Sequence, residues 1–207
     1  VATSRRSVSR SILRVLFVAS VLFVGLTAFL VLPLRWLPPL TSSFMLQNWF
    51  AQRTLSADVH YDWVSRENIS RRAALAVLAA EDQKFFGHEG IDWQAIKESA
   101  ETNVKRGRAA RGGSTITQQL AKNLYFGTEK SLARKLREAL VTRWLENDLS
   151  KVRILTLYLN LIEWGDGIYG CEAAARTWFG KACADLSPDE AAGLAGMIPN
   201  PRRINPR

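Results

Sequence analysis

The sequence predicts a mainly α-helical protein, with one N-terminal transmembrane helix followed by one helical domain. Three observations predict it. A twenty-residue stretch from Val15 to Leu34, VLFVASVLFVGLTAFLVLPL, carries no charge. From Ser70 onward, seven segments place apolar residues at helical spacing, several of them behind a serine able to cap a helix. No segment shows a convincing run of strand-like alternation.

At 1.5 Å rise per residue the uncharged stretch spans roughly 30 Å, the thickness of a bilayer core. It is long for a buried core helix. A cleaved signal peptide would have a shorter apolar run of about 7–15 residues. No small-x-small cleavage site follows, only LPLRWLPPL. The expectation is therefore an uncleaved anchor over 15–34. Arg5, Arg6, Arg10 and Arg14 form a basic cytoplasmic tail over 1–14 and set the amino end inside. Everything beyond Arg35 is then expected in the periplasm, at the outer face of the inner membrane. Residues 35–69, beginning RWLPPLTSSFMLQNWF, are Pro-broken and rich in Trp and Phe, and read as a linker or interfacial segment. The helical domain is expected over 70–207.

The net charge of +9 and pI near 10.0 invite a nucleic-acid partner. Five of the basic residues, the four above and Arg35, flank the uncharged stretch and precede the first acid, Asp58, as Arg53 also does. Without those five the remainder carries only +4. About half of the basicity flanks one hydrophobic segment, so no nucleic-acid partner is expected. Hydrophobic residues at 47% exclude disorder as the default.

The helices follow in order. SRRAALAVLAAEDQKFF has Ser70 as N-cap. DWQAIKESAETNVKRG ends near Gly107. STITQQLAKNLYF starts behind Ser114. SLARKLREALVTRWLEND aligns Leu132, Leu136, Leu140 and Trp144 on one stripe. SKVRILTLYLNLIEW, GCEAAARTWFG and SPDEAAGLAGMI complete the set, the last with Ser187 as cap and Pro188 in the first turn.

Four stretches carry candidate chemistry. In AAEDQKFFGHEG, Glu81 and Asp82 end an otherwise apolar helix. A carboxyl so placed is partly desolvated and suited to exchange a proton near neutral pH. The bland alternative is a solvated acid beside Lys84, and His88 on its own reads as structural. GRAARGGSTITQQLAK nearly spells a P-loop, but Gly113 stands where the lysine belongs and no Walker-B strand follows, which excludes an ATPase. Backbone N–H groups at a helix start, with Arg108 and Arg111 nearby, still make an expected anion site. Thr115, Gln118, Gln119 and Lys122 lie at helical spacing, either as a solvated face or as a binding row. In KSLARKLREAL, Arg134 and Glu138 stand at i, i+4. They are either a surface pair worth ~0.3–0.5 kcal/mol or a second acid among Lys130, Arg134, Lys135 and Arg137, a cluster suited to phosphates. In ILTLYLNLIEWGDGIYGCEAAARTWFGK, Asn160, Glu163 and Asp166 surround turns at Gly165, Gly167 and Gly170 whose glycine density implies close backbone packing. Cys171 and Cys183 read as small buried residues, although an oxidising compartment would let them pair. With His60 and His88 as the only histidines, a zinc site is not expected.

Taken together these stretches resemble the motifs of the family 51 glycosyltransferases, the peptidoglycan polymerases. Glu81-Asp82-x-x-Phe85-x-x-His88-x-Gly90 is similar to the first motif. Gly113-Ser114-Thr115-x-Thr117-Gln118-Gln119 is similar to the second, and Arg134-Lys135-x-x-Glu138 to the third. ILTLYLNLIEWGDGIYG through AAARTWFGK resembles the fourth and LSPDEAAGLAGMIPNPRRINP the fifth. The anchor and short length resemble the monofunctional branch, which lacks the transpeptidase domain of the bifunctional penicillin-binding proteins. Thr156 departs from the pattern, standing where many members have Glu.

The resemblance implies a lysozyme-like, mostly helical domain with a small membrane-embedded subdomain. It implies lipid II and the growing glycan strand as substrates, with membrane lipid and other cell-wall synthesis proteins as further partners. Glu81 would be the general base and Glu138 would assist on the donor side. Asp82, Phe85, His88, Ser114, Thr115, Gln118, Gln119, Lys122, Lys130, Arg134, Lys135, Arg137 and Asn160 would bind substrate. No cofactor is obligatory; magnesium or manganese is the one left open. Two rivals stay open at this stage, a lysozyme-like lytic enzyme and a non-enzymatic scaffold of cell-wall assembly.

Overall fold

Helix α1 (Ala2–Val31) continues into a short 3-10 turn at Leu32–Arg35. The apolar stretch Ile12–Arg35 has a mean hydropathy of 2.8, and by length and composition it can cross a membrane. The computed structural model describes residues 2–52, 59–106, 112–127, 129 and 131–206. These fall into two compact units, Val1–Leu37 and Pro38–Arg207.

In the second unit the helices are α2 (Ser43–Gln52), α3 (Arg71–Glu81), α4 (Trp93–Arg106), α5 (Ile116–Tyr125), α6 (Leu132–Asp148), α7 (Lys151–Leu161), α8 (Cys171–Phe179) and α9 (Pro188–Met197). Capping residues fix most starts: the side chains of Ser70, Ser131, Ser150 and Ser187 each accept a backbone N–H of the first turn. One start differs from the sequence reading. Thr115, not Ser114, caps α5, because a capping box needs Gln at the third position and Gln118 stands there.

Helix α7 is the centre of the unit. Every residue from Ile154 to Leu161 is buried, as expected of a helix apolar nearly all round. The apolar face of α5, with Ile116, Leu120 and Leu124 buried, packs on α7 and α6, and α3 packs on α9. Gly170 shows why a glycine precedes α8. Its φ is +86°, and a Cβ there would lie 2.6 Å from the Asn160 carbonyl oxygen.

The second unit starts at Pro38. Within it α2 packs on α5, and His60–Tyr61 (β1) pairs in parallel with Ile168–Tyr169 (β2). That two-stranded pair is invisible to pattern reading, because two residues carry no alternation. Cys171 and Cys183 are buried and also joined in a disulfide. The Leu stripe of α6 does not face the core: Leu132, Leu136 and Leu140 are 85%, 70% and 50% exposed. The buried face of α6 carries Glu138, Thr142 and Leu145 instead.

Candidate active site

A cleft of about 610 Å³ opens beside the end of α3, the start of α4, residues 112–115 and the polar side of α5. Ile198 and Pro199 also line it. Its shape follows from one short junction. Helix α3 ends at Glu81, and Asp82 caps it with non-helical dihedrals (φ −159°, ψ 78°). Two neighbouring carboxyls therefore leave the chain in different settings: Glu81 is half-buried on the cleft wall and Asp82 is buried.

Asp82 is fully bonded. Its Oδ2 accepts the Ile116 N–H at 3.0 Å, and both oxygens lie within 3.1 Å of His88 Nε2. The Gly90 N–H donates to His88 Nδ1 at 3.1 Å, so the ring proton sits on Nε2 and donates to Asp82. This corrects the expected anion site at the start of α5. The protein's own Asp82 holds one of the first N–H groups there, and Thr115 Oγ1 holds that of Gln118. Thr115 Oγ1 also donates to the Gly90 carbonyl at 2.5 Å, tying the loop after α3 to α5.

Glu81 has a different neighbour. Gln119 Nε2 donates to its Oε2 at 2.6 Å, and the Tyr158 hydroxyl donates to Gln119 Oε1 at 2.8 Å. Burial, and then the charges of Glu81 and Asp82, push the Tyr158 phenol well above its ordinary value. Among the described residues Glu81 has no ion-pair partner.

Glu138 is the opposite case. It is 2% exposed and pairs with Arg134 Nη1 and Lys135 Nζ, each at 2.5 Å. Lys135 also reaches Ser114 Oγ on the cleft wall at 3.1 Å, and Arg134 Nε donates to the Glu129 carbonyl. Lys122, one turn beyond Gln118, stands over the Phe44 ring of α2 at 5.4 Å. Burial lowers its pKa. Glu138 opposes that shift, Arg134 and Lys135 add to it, and Glu81 opposes it. Lys122 therefore feels both acids, and among the described residues it has no carboxylate in an ion pair. Within the cluster around Glu138, the three cations Lys122, Arg134 and Lys135 exceed the one carboxylate by two charges, while the acids Glu81, Asp82, Asp92 and Glu98 line the rest of the cleft.

The cleft thus gathers Glu81, Asp82, Ser114, Thr115, Gln119 and Lys122, with Arg134, Lys135 and Glu138 joined through Ser114. Other sequence candidates lie elsewhere. Phe85 is fully buried core, with Lys151 Nζ 4.5 Å above its ring. His88 orients Asp82. Gln118 is buried in the capping box. Asn160 is fully buried, and its amide bonds the Val64 N–H, the Val64 carbonyl and the Thr156 carbonyl. Arg137 is exposed and donates to Ala133 one turn back. Lys130, Arg108 and Arg111 lie outside the described residues. Thr156, in place of the expected Glu, bonds the Val152 carbonyl within its own helix. Among the described residues no group of three or more His, Cys, Asp or Glu could hold a metal ion.

Sequence reading missed Tyr158 and the wall formed by Gln83, Lys84, Asp92 and Glu98. A signal for Tyr158 existed: a hydroxyl inside the aliphatic run ILTLYLNL needs a buried partner.

A family model described as Transglycosylase matches residues 48–207. The chain belongs to the transglycosylase family. As a member it is a glycosyltransferase, and its mainly helical architecture fits the lysozyme-like class. It is 52% identical over 151 residues to the biosynthetic peptidoglycan transglycosylase of Dechloromonas aromatica, covering 73% of this chain and 65% of that relative. It is 46% identical over 196 residues to the protein of the same name from Aromatoleum aromaticum, covering 92% of this chain and 85% of the relative. A third, from Methylobacillus flagellatus, is 48% identical over 166 residues, with 79% and 72% covered.

Proposed function

We propose that this transglycosylase is a peptidoglycan glycosyltransferase. It polymerises lipid II into β-1,4-linked glycan strands and releases undecaprenyl pyrophosphate. The observation that carries the reading is the asymmetry of its two acids. Glu81 faces the cleft with an amide as its partner. Glu138 is buried between two cations.

The first suits a base. Among the described residues Glu81 Oε1 has no hydrogen-bond partner, so this oxygen takes the proton from the GlcNAc 4-hydroxyl of incoming lipid II. The freed oxygen attacks the anomeric carbon of the MurNAc at the reducing end of the growing strand. The bond to the pyrophosphate oxygen breaks on the opposite face, and the electron pair leaves with the pyrophosphate. A single displacement converts the α-linked donor into a β-linked product.

The second acid suits a positioning role. Glu138 holds Arg134 and Lys135 where Ser114 opens to the cleft, and Lys122 stands nearby. The two excess positive charges match the two ionised oxygens of a pyrophosphate diester and stabilise the charge that develops on departure. A divalent cation, magnesium or manganese, finds no set of three such ligands among the described residues.

Helix α1 anchors the protein in the inner membrane with the amino end inside, and the catalytic unit works at the periplasmic face. Exposed Leu46, Trp49 and Phe50 of α2 and the Leu132–Leu136–Leu140 stripe of α6 are the surfaces that would meet lipid. Other cell-wall synthesis proteins are further partners in this reading.

The test is incubation of the detergent-solubilised protein with labelled lipid II. Polymeric glycan with free undecaprenyl pyrophosphate supports the reading. Reducing or anhydro sugars would indicate a lytic enzyme, and no turnover would indicate a scaffold.

A further inference from the structure

From the geometry around Gln119 we infer that Tyr158 is a positioning residue for Glu81, acting through the Gln119 amide. The inference rests on the reading of Glu81 as the base.

The two ends of a glutamine amide differ. An ionised carboxylate accepts only, so Gln119 must present its NH₂ to Glu81, as it does at 2.6 Å. Its carbonyl oxygen then needs a donor on the other side. Tyr158 supplies it at 2.8 Å from the middle of α7, fully buried. The direction of the chain is therefore fixed: Tyr158 O–H to Gln119 carbonyl, Gln119 N–H to Glu81 carboxylate. Turning the amide over would set its oxygen against the Glu81 carboxylate, acceptor against acceptor, and would take from the Tyr158 O–H the carbonyl it donates to.

The two supports also differ in stiffness. Gln119 belongs to α5, but its side chain has three rotatable bonds. Tyr158 has only two, and it stands in the most enclosed helix of the unit, with Leu157, Leu159 and Leu161 also buried. The rigid residue thus pins the flexible one. With Oε2 of Glu81 engaged by the amide, Oε1 is left for the acceptor hydroxyl. Glu81 needs such an outside support because it is the last residue of α3, one position before the chain leaves the helix.

The test is Tyr158→Phe, which keeps the ring and removes the hydroxyl, measured alone and with Gln119→Ala. Alone, it should lower kcat for lipid II polymerisation by up to about 10-fold, the size of one neutral hydrogen bond lost between Tyr158 and Gln119, while KM for lipid II changes less than about twofold. In the Gln119→Ala background the same change should have little further effect, because its path to Glu81 is already cut. Tyr158→Phe with wild-type kcat would overturn the proposal. So would full multiplication of the two losses, which would mean that the Tyr158 hydroxyl acts independently of Gln119. A melting temperature for each variant shows whether a kcat loss is merely unfolding, and a folded variant with the expected non-additivity supports the relay. Glu81→Gln, run in parallel, separates the two readings. If it retains activity the base assignment fails; if it is inactive while Tyr158→Phe is not, only the relay fails.

Discussion

Asp82 Oδ2 accepts the Ile116 N–H at 3.0 Å, so the residue after the candidate base holds the first N–H of the helix that carries Gln119 and Lys122. One contact thereby fixes the acid on α3 relative to the amide and cation on α5. Asp82→Ala leaves two donors, the buried Ile116 N–H and the part-buried His88 Nε2–H, without an acceptor. The expected cost is about 3 kcal/mol or more, read as a lower melting temperature of the solubilised protein. Asp82→Asn should recover part of it, since an amide oxygen can accept one of the two. A wild-type melting temperature for Asp82→Ala would remove Asp82 from this role.

Glu81→Gln keeps the shape of the side chain and its contact with Gln119 but removes the base. Glycan synthesis should fall by about 10²-fold or more with an unchanged melting temperature. The measurement is the initial rate of lipid II polymerisation, and near wild-type synthesis by the folded variant would sink the assignment.

The helices were legible in the sequence because capping serines and apolar spacing are local signals, and Ser70, Ser131, Ser150 and Ser187 each sit where a cap was needed. The candidate acids were legible from motif resemblance, but their environments were not. Local sequence presents Arg134 and Glu138 as an ordinary i, i+4 surface pair. Only packing of α6 against α5 and α7 buries Glu138 and turns the leucine stripe outward. Gln118 and Gln119 are adjacent and identical in type, yet one closes a capping box and the other holds Glu81. That difference follows from a helical rotation of about 100° per residue and from what stands across the gap, which no local pattern encodes. The Val64–Asn160 bonds and the β1–β2 pair join residues about a hundred positions apart and are hidden for the same reason.

The Cys171–Cys183 disulfide ties the start of α8 to the turn before α9, where the Glu172 carboxylate also accepts the Cys183 N–H at 2.8 Å. Such bonds persist in oxidising compartments, so protein isolated from membranes should show its two thiols to an alkylating reagent only after denaturation and reduction. Replacing both cysteines by alanine should cost about 2–4 kcal/mol and lower the melting temperature. Two free thiols in the denatured, unreduced protein would count against a periplasmic catalytic unit. So would a C-terminal reporter fusion active in the cytoplasm.

Lys122 makes the donor grip depend on pH in a direction that can be stated. Burial holds its pKa below the ordinary lysine value of 10.5, and the attraction of Glu138 only partly offsets this. As pH rises through the lowered value, Lys122 loses its charge earlier than an exposed lysine would. The cluster then drops one of its two excess positive charges. A bound pyrophosphate favours the ammonium form, so the effect belongs to binding and appears as a rise in KM for lipid II on the alkaline side. Lys122→Arg carries a guanidinium that stays charged throughout this range, and it should remove the alkaline rise. Each lost charge-assisted contact is worth about 1.5–3 kcal/mol. Lys122→Ala should therefore weaken turnover about 10-fold or more and abolish the pH dependence of KM. Arg134→Ala should lose a similar factor while keeping the pH dependence, since Lys122 is still present. Undecaprenyl pyrophosphate, tested as a product inhibitor, should weaken in parallel in both alanine variants. If both variants keep wild-type KM and wild-type product inhibition, the cations belong to a structural cluster around Glu138 and not to the donor site.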